Sequence, residues 1–234
     1  MTRTLRAAVT RREALRFLGI GGGAGLIAVL LDDRPADAGL LQATVSPRIS
    51  PIPRGAVIRT ILKDVSPGGL GNGAVLFHEH LSFGSSFFDR MRPANAPRPA
   101  TPAPPSYLEN PDIVIEEVRA AVKDGVSCIV DGGHADMGTN YEHLRMIAER
   151  SAVHIVASGG YYLQITYPPE VRAQSEDQLV EGLVQDAAAK RWGAFGEIGS
   201  SEEMTSDERK VFRVMGKTQV RTGLPVFTHT SHAG

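Results

Sequence analysis

Hydrophobic positions along the chain predict an alternation of short buried strands with longer amphipathic helices. The strands are apolar runs, rich in β-branched and aromatic residues, at 74–80, 126–131, 153–158, 193–198 and 224–229. Apolar positions at helical spacing fill the intervals, at about 111–124, 139–151, 176–191 and 206–222. Repeated strand–helix units imply a parallel sheet covered by helices. The pattern therefore predicts an α/β fold, either a doubly wound sheet or a barrel.

Histidines lie at the ends of two predicted strands. His78 and His80 close the first strand, and His229 closes the last. Because side chains alternate across a strand, residues at i and i+2 face the same way, and His78 and His80 can bind one metal ion together. Parallel strands direct their carboxyl ends to one side of the fold, where α/β proteins place their chemistry. The spacing predicts a metal site on that side.

Three segments resemble the phosphotriesterase-like branch of the amidohydrolase superfamily. Gly73–Leu81 is similar to the first-strand signature of that family, and Gly196–Glu202 is similar to its fourth-strand segment. Gly223–Thr230 resembles strand five. The three matches occur in the family's order, so coincidence is a poor explanation for them.

The resemblance implies a (β/α)₈ TIM barrel that holds two divalent metal ions, usually zinc, at its mouth. By position, His78 and His80 would bind the first metal, Glu197 would bridge both metals, and His229 would bind the second. Much of the family bridges with a carboxylated lysine, and Glu197 departs from that pattern while still offering two carboxylate oxygens. The implied chemistry is hydrolysis of an ester, lactone or phosphotriester by a hydroxide held between the metals.

The family also places a histidine at strand six and an aspartate at strand eight, and residues 74–234 contain neither position. These residues supply about five of the eight βα units of a barrel, which typically has ~250 residues. The sequence is therefore expected to be an N-terminal fragment of a longer protein. On its own the fragment is expected to be inactive, because the proton-transferring aspartate is missing. The alternative is a degenerate metal-binding barrel without catalytic activity.

Four residues are candidates for substrate contact at the mouth. Tyr161 and Tyr162 follow the third strand, and their rings can pack against an acyl chain while a hydroxyl binds a carbonyl oxygen. His134 and His232 lie in loops after the second and fifth strands. Simple packing for the tyrosines and ordinary loop roles for the histidines remain open. The proline-rich segment Pro93–Pro105 is expected to be either a lid or a solvated loop.

The amino terminus predicts an export signal at residues 1–38. Arg11 and Arg12 precede a glycine-rich apolar run over Phe17–Leu31, and Ala36–Ala38 is a small-residue cleavage site. The run is shorter than the ~20 residues of a membrane span. The pair of arginines favours the twin-arginine route to the periplasm or outside the cell, with a Sec signal or an uncleaved anchor as alternatives. Residues 39–73 form a lead-in with a hairpin expected at Val57–Leu62.

Composition and charge exclude several classes of binding partner and of chemistry. The formal net charge is −1, and removal of residues 1–38 leaves −3, so no basic field remains for nucleic acid. Cys128 is the single cysteine and cannot form an internal disulfide. No Gly-x-Ser-x-Gly elbow of a serine hydrolase is present. The expected partner is a small molecule, with no stable membrane span after signal cleavage and with a homodimer of the full-length protein left open.

Overall fold

The computed structural model describes residues 52–92, 95 and 105–230. The predicted export signal, most of the Pro93–Pro105 segment and His232 lie outside the described residues.

The described residues form a small hairpin, a parallel sheet and six α-helices. The hairpin strands are β1 (Ile58–Arg59) and β2 (Asp64–Val65), and the sheet strands are β3 (Ala74–Glu79), β4 (Val126–Asp131), β5 (His154–Gly159), β6 (Ala194–Gly199) and β7 (Val226–His229). The helices are α1 (Ser85–Met91), α2 (Pro111–Lys123), α3 (Tyr141–Ser151), α4 (Pro169–Ala173), α5 (Glu176–Ala189) and α6 (Ser206–Thr222).

The five sheet strands are parallel and neighbour one another in chain order, from β3 to β7. The sheet curls so far that its two outer strands touch through their side chains. Phe77 of β3 and Phe227 of β7 have ring centroids 5.5 Å apart, and His78 lies at the same distance from Phe227. A curled parallel sheet with helical connections is part of a (β/α)₈ barrel, so the predicted fold class is confirmed.

The main hydrophobic core lies between the sheet and the helices. Its members are residues of both layers with almost no exposed surface, among them Ile115, Ile147, Leu183, Phe195 and Val214. Helix α6 begins with a capping box, in which Thr205 and Glu208 each bond the other's backbone N–H. It ends at Thr222, and the positive φ of 70° at the following Gly223 lets the chain turn into β7.

The β1–β2 hairpin covers the amino-terminal end of the sheet, opposite the histidines. Ile61 is fully buried, and its N–H donates to the Ile155 carbonyl at the start of β5 (2.8 Å). Arg191, which precedes β6, donates to Asp64 of the hairpin (2.7 Å). A hairpin is therefore present, but it spans Ile58–Val65 instead of Val57–Leu62, with its second strand beyond the predicted range.

Two helices, α1 and α4, are not predicted by the hydrophobic pattern. They contain 7 and 5 residues, too few to display a helical repeat of apolar positions. Among the described residues, no helix has both the length and the apolar character that a bilayer crossing requires.

Candidate metal centre

The structure brings the four predicted ligands together at the carboxyl ends of their strands. Glu197 Oε2 lies 2.8 Å from His78 Nε2 and 2.6 Å from His229 Nδ1, and Glu197 Oε1 lies 3.3 Å from His80 Nε2. We call this set the histidine–glutamate cluster: His78, His80, Glu197 and His229.

Strand geometry explains the convergence. His78 and His80 are two residues apart at the end of β3, so their rings share one face of the sheet. His229 pairs in register with Gly199 of β6, just beyond Glu197, and its carbonyl accepts from Ser200 N–H (3.0 Å). Gly132 makes room for the histidines, because a Cβ there would lie only 3.0 Å from the His78 ring.

Glu197 supplies a negative charge in a buried position. Only 3% of its side chain is exposed, whereas 40% of the His78 side chain and 51% of the His229 side chain are exposed. Burial raises the pKa of Glu197, but hydrogen bonding to His80 and the charge of His229 outweigh it and hold the pKa below its usual range. The carboxylate is therefore ionised at neutral pH, and the histidine side of the cluster is open to solvent.

The donor set fits a divalent cation. Imidazole nitrogen and carboxylate oxygen are ordinary zinc ligands. One donor atom from each of His78, Glu197 and His229 lies within 4.8 Å of the others, and His80 adds a further nitrogen at the second carboxylate oxygen. A carboxylate with imidazoles on both oxygens has the chemistry of a bridging ligand.

Asp131 supports the chain immediately after the β3 histidines. Its two carboxylate oxygens accept from Leu81 N–H (2.7 Å) and Gly133 N–H (2.9 Å), and the residue is fully buried. Burial raises the pKa of Asp131 to about 6, against the opposing effect of these amides and of His80. Sequence reasoning did not identify Asp131, although an aspartate that closes a buried strand before two glycines is a usable signal.

His134 lies behind Glu197. Its side chain is fully buried. Its Nδ1 contacts the Asp136 carboxylate, and its Nε2 lies 3.0 Å from the main-chain oxygen of Glu197. His134 therefore contacts the main chain of Glu197, and its expected contact with a substrate stays a prediction.

The two tyrosines have different surroundings. The ring of Tyr162 lies 5.4 Å from the ring of His229, centroid to centroid, and only 8% of the residue is exposed. The ring of Tyr161 packs instead against Tyr167, at 6.1 Å. Tyr162 therefore borders the cluster, and the substrate contacts expected of both tyrosines stay predictions.

An aromatic wall beside the cluster was not predicted from the sequence. The Phe83 ring lies 5.2 Å from His80 and 4.7 Å from Phe87, and Phe87 lies 5.6 Å from Tyr162. These residues give the site one apolar side. The phenylalanines that follow His80 within ten residues are the sequence signal for it.

The sequence is similar to a known protein family and to curated proteins. The model of the Phosphotriesterase family matches residues 57–234. N-acetyltaurine hydrolase of Rattus norvegicus is 29% identical over 196 residues, which cover 74% of this chain and 56% of the relative. The enzyme of the same name from Danio rerio is 27% identical over 197 residues with the same coverage. The chain spans about half the length of the curated relatives it matches.

Solved structures show the same similarity. A resiniferatoxin-binding protein from Rhodobacter sphaeroides superposes with a TM-score of 0.65 at 28% identity, covering 75% of this chain and 55% of that protein. A phosphotriesterase homology protein from Escherichia coli, solved with phosphate in its active site, gives a TM-score of 0.58 at 26% identity, covering 68% of this chain and 53% of that protein.

Proposed function

The chain belongs to the phosphotriesterase family, and from that premise we propose that the protein is a hydrolase whose divalent metal ions are bound by the histidine–glutamate cluster. The observation that carries the proposal is the convergence of three imidazoles on one buried carboxylate at the carboxyl ends of β3, β6 and β7. Barrel enzymes place their catalytic groups at this end of the strands.

Each part of the cluster has a defined task in this proposal. Glu197 contributes the negative charge and offers two oxygens, so it can serve two cations, and His78 and His229 supply nitrogen ligands on the solvent side. When bound, two divalent ions lower the pKa of water and polarise a carbonyl or phosphoryl oxygen. Zinc suits these nitrogen and oxygen donors and is the first ion to test.

The substrate proposal is a small molecule with a scissile carbonyl or phosphoryl bond. Esters, lactones and phosphotriesters follow from the family, and the named relatives add the amide N-acetyltaurine. The aromatic wall that Phe83, Phe87 and Tyr162 form beside the cluster supports a substrate with an apolar group next to that bond.

The remaining segments complete the proposal. Residues 1–38 are proposed to be a twin-arginine signal that delivers the protein to the periplasm or outside the cell. Residues 39–73 are proposed as a lead-in to the barrel part, 74–234. The pair Arg11 and Arg12 before a short apolar run supports the export proposal.

A hydrolysis panel tests the function. Zinc-loaded protein is assayed against an ester, a lactone, a phosphotriester and N-acetyltaurine, with the 234-residue chain and with any longer product of the same reading frame. We expect His78→Gln to lower kcat/KM at least about a hundredfold, because it removes a ligand of the reacting centre. His154→Gln is the matched control, since His154 begins β5 at the opposite end of the sheet. The 234-residue chain alone is expected to show no turnover, and a metal-loaded longer product that turns over none of the substrates would favour a metal-binding barrel without catalysis.

A further inference from the structure

The main chain of Glu197 is not paired with β5, the strand that precedes β6 in the sheet. β5 pairs with β6 only at Ser158 with Ala194 and at Gly159 with Phe195, so Glu197 continues past the end of β5. On the other side, the register between β6 and β7 is irregular between Phe195 and Ile198. Buried backbone N–H and C=O groups need partners. Another part of the chain must therefore supply them at Glu197.

The loop after β4 supplies these partners by reaching across the end of β5. The Gly132 carbonyl accepts from Glu197 N–H (2.8 Å), and His134 Nε2 donates to the Glu197 carbonyl (3.0 Å). One loop therefore binds both the N–H and the C=O of Glu197. The hydrogen bond from His134 is made by a side chain and can be removed by substitution.

Asp136 connects His134 to the residue beside the cluster. One oxygen of Asp136 contacts His134 Nδ1, and the other accepts from Tyr162 N–H (2.8 Å) and from the Thr166 hydroxyl (2.9 Å). His134, Asp136 and Thr166 are all buried. In a low-dielectric interior such a network is strong when every member is paired, and it restricts the positions of the groups it joins.

We propose that His134 and Asp136 are positioning residues of the metal centre: they hold the main chains of Glu197 and Tyr162 so that the carboxylate and the Tyr162 ring keep their places around His229. The inference rests on the proposed function, because positioning matters only if the cluster binds metal. Groups that orient metal ligands typically change metal affinity about 10- to 100-fold when they are removed. If His134 and Asp136 have this role, substitutions of them lower the affinity for the metal by more than a loss of folding stability explains.

Two substitutions of His134 separate its two hydrogen bonds. His134→Gln places an amide nitrogen near the position of Nε2 and can still donate to the Glu197 carbonyl. His134→Asn places its amide nitrogen near the position of Nδ1 and keeps only the contact with Asp136. We expect zinc affinity to fall about 10- to 100-fold in His134→Asn and less than about threefold in His134→Gln. The readouts are the zinc dissociation constant and the d–d absorption spectrum of the cobalt-substituted protein, which reports ligand geometry.

Ile115→Val is the matched control for lost stability. It shortens a fully buried side chain of α2 that lies outside the His134–Asp136–Thr166 network, so it should lower the thermal midpoint and leave zinc affinity and the cobalt spectrum unchanged. If His134→Asn does not fold, Asp136→Asn is compared with Ile115→Val in the same way. Equal zinc affinities in His134→Asn, His134→Gln and Ile115→Val, in a wild-type protein that binds zinc, would overturn this inference alone. A wild-type protein that binds no zinc would overturn the proposed function and this inference with it.

Discussion

At the scale of single residues, metal binding depends on the buried negative charge of Glu197. A buried carboxylate is unfavourable unless it is paired. Here three imidazoles pair with it, and their exposed rings leave the site accessible from solvent. A divalent cation would replace these hydrogen bonds with stronger contacts to the same atoms.

Asp131 predicts a pH dependence of stability. Its pKa is raised from 3.8 to about 6 in the folded protein. The folded state therefore holds the proton more tightly than the unfolded state, and the contribution is fully present below about pH 4 and is lost as pH rises through about 6. We expect the free energy of unfolding of the wild type, relative to Asp131→Asn, to fall by roughly 3 kcal/mol over this range.

Urea unfolding at a series of pH values, with a chelator present, measures this difference. Asparagine cannot titrate, so the variant supplies the reference line at each pH. Parallel profiles for the two proteins would show that Asp131 has no raised pKa.

The sequence predicts the ligands of the cluster better than it predicts the residues that support them. His78, His80 and His229 are recognisable because they end apolar runs, and strand ends converge in any parallel α/β fold. His134 and Asp136 are separated from Glu197 by about sixty residues, and their partnership exists only because the loop after β4 reaches across β5. No local pattern encodes that crossing, so the sequence does not indicate the contact between His134 and Glu197.

At the scale of elements, helix α6 is held at the carboxyl end of the sheet by its first turn. Glu208 has no exposed surface and accepts from Thr205 N–H (2.9 Å), Ser201 N–H (3.3 Å) and the Ser201 hydroxyl (2.7 Å). Helix α5 begins with a similar capping box at Ser175 and Gln178, but Gln178 is exposed. The two helices offer a comparison of a buried and an exposed box.

We expect Glu208→Ala to lower the free energy of unfolding by about 2–4 kcal/mol, because it leaves buried N–H donors without an acceptor. Gln178→Ala should lower it by less than about 1 kcal/mol, since water can replace an exposed cap. Urea denaturation of both variants checks this. Equal losses would mean that the β6–α6 loop does not depend on the buried carboxylate.

Element boundaries follow closely from the hydrophobic period. The predicted helices at 111–124, 176–191 and 206–222 are observed at Pro111–Lys123, Glu176–Ala189 and Ser206–Thr222. Strand β7 begins two residues later than predicted, at Val226, because Pro225 has no N–H to donate to a ladder. The short helices α1 and α4 carry too few residues for any period to show.

At the scale of the whole molecule, the proposed export signal predicts where the protein is found. We expect replacement of both Arg11 and Arg12 by lysine to prevent delivery to the periplasm while leaving synthesis unchanged, because the twin-arginine route depends on the arginine pair. Fractionation of cells followed by immunoblotting measures the distribution. A single Arg16→Lys replacement outside the pair is the control, and periplasmic delivery of the double variant would point to the Sec route.

The proposed hydrolysis requires metal binding by the histidine–glutamate cluster, and equilibrium dialysis measures the zinc content of the protein. Wild-type protein should retain zinc at a fixed stoichiometry. Glu197→Gln has nearly the same size but lacks the charge, so it should bind zinc at least about tenfold more weakly. His154→Gln should bind as the wild type does. A wild-type protein that retains no zinc, or a Glu197→Gln protein that binds zinc as tightly as the wild type, would contradict the account.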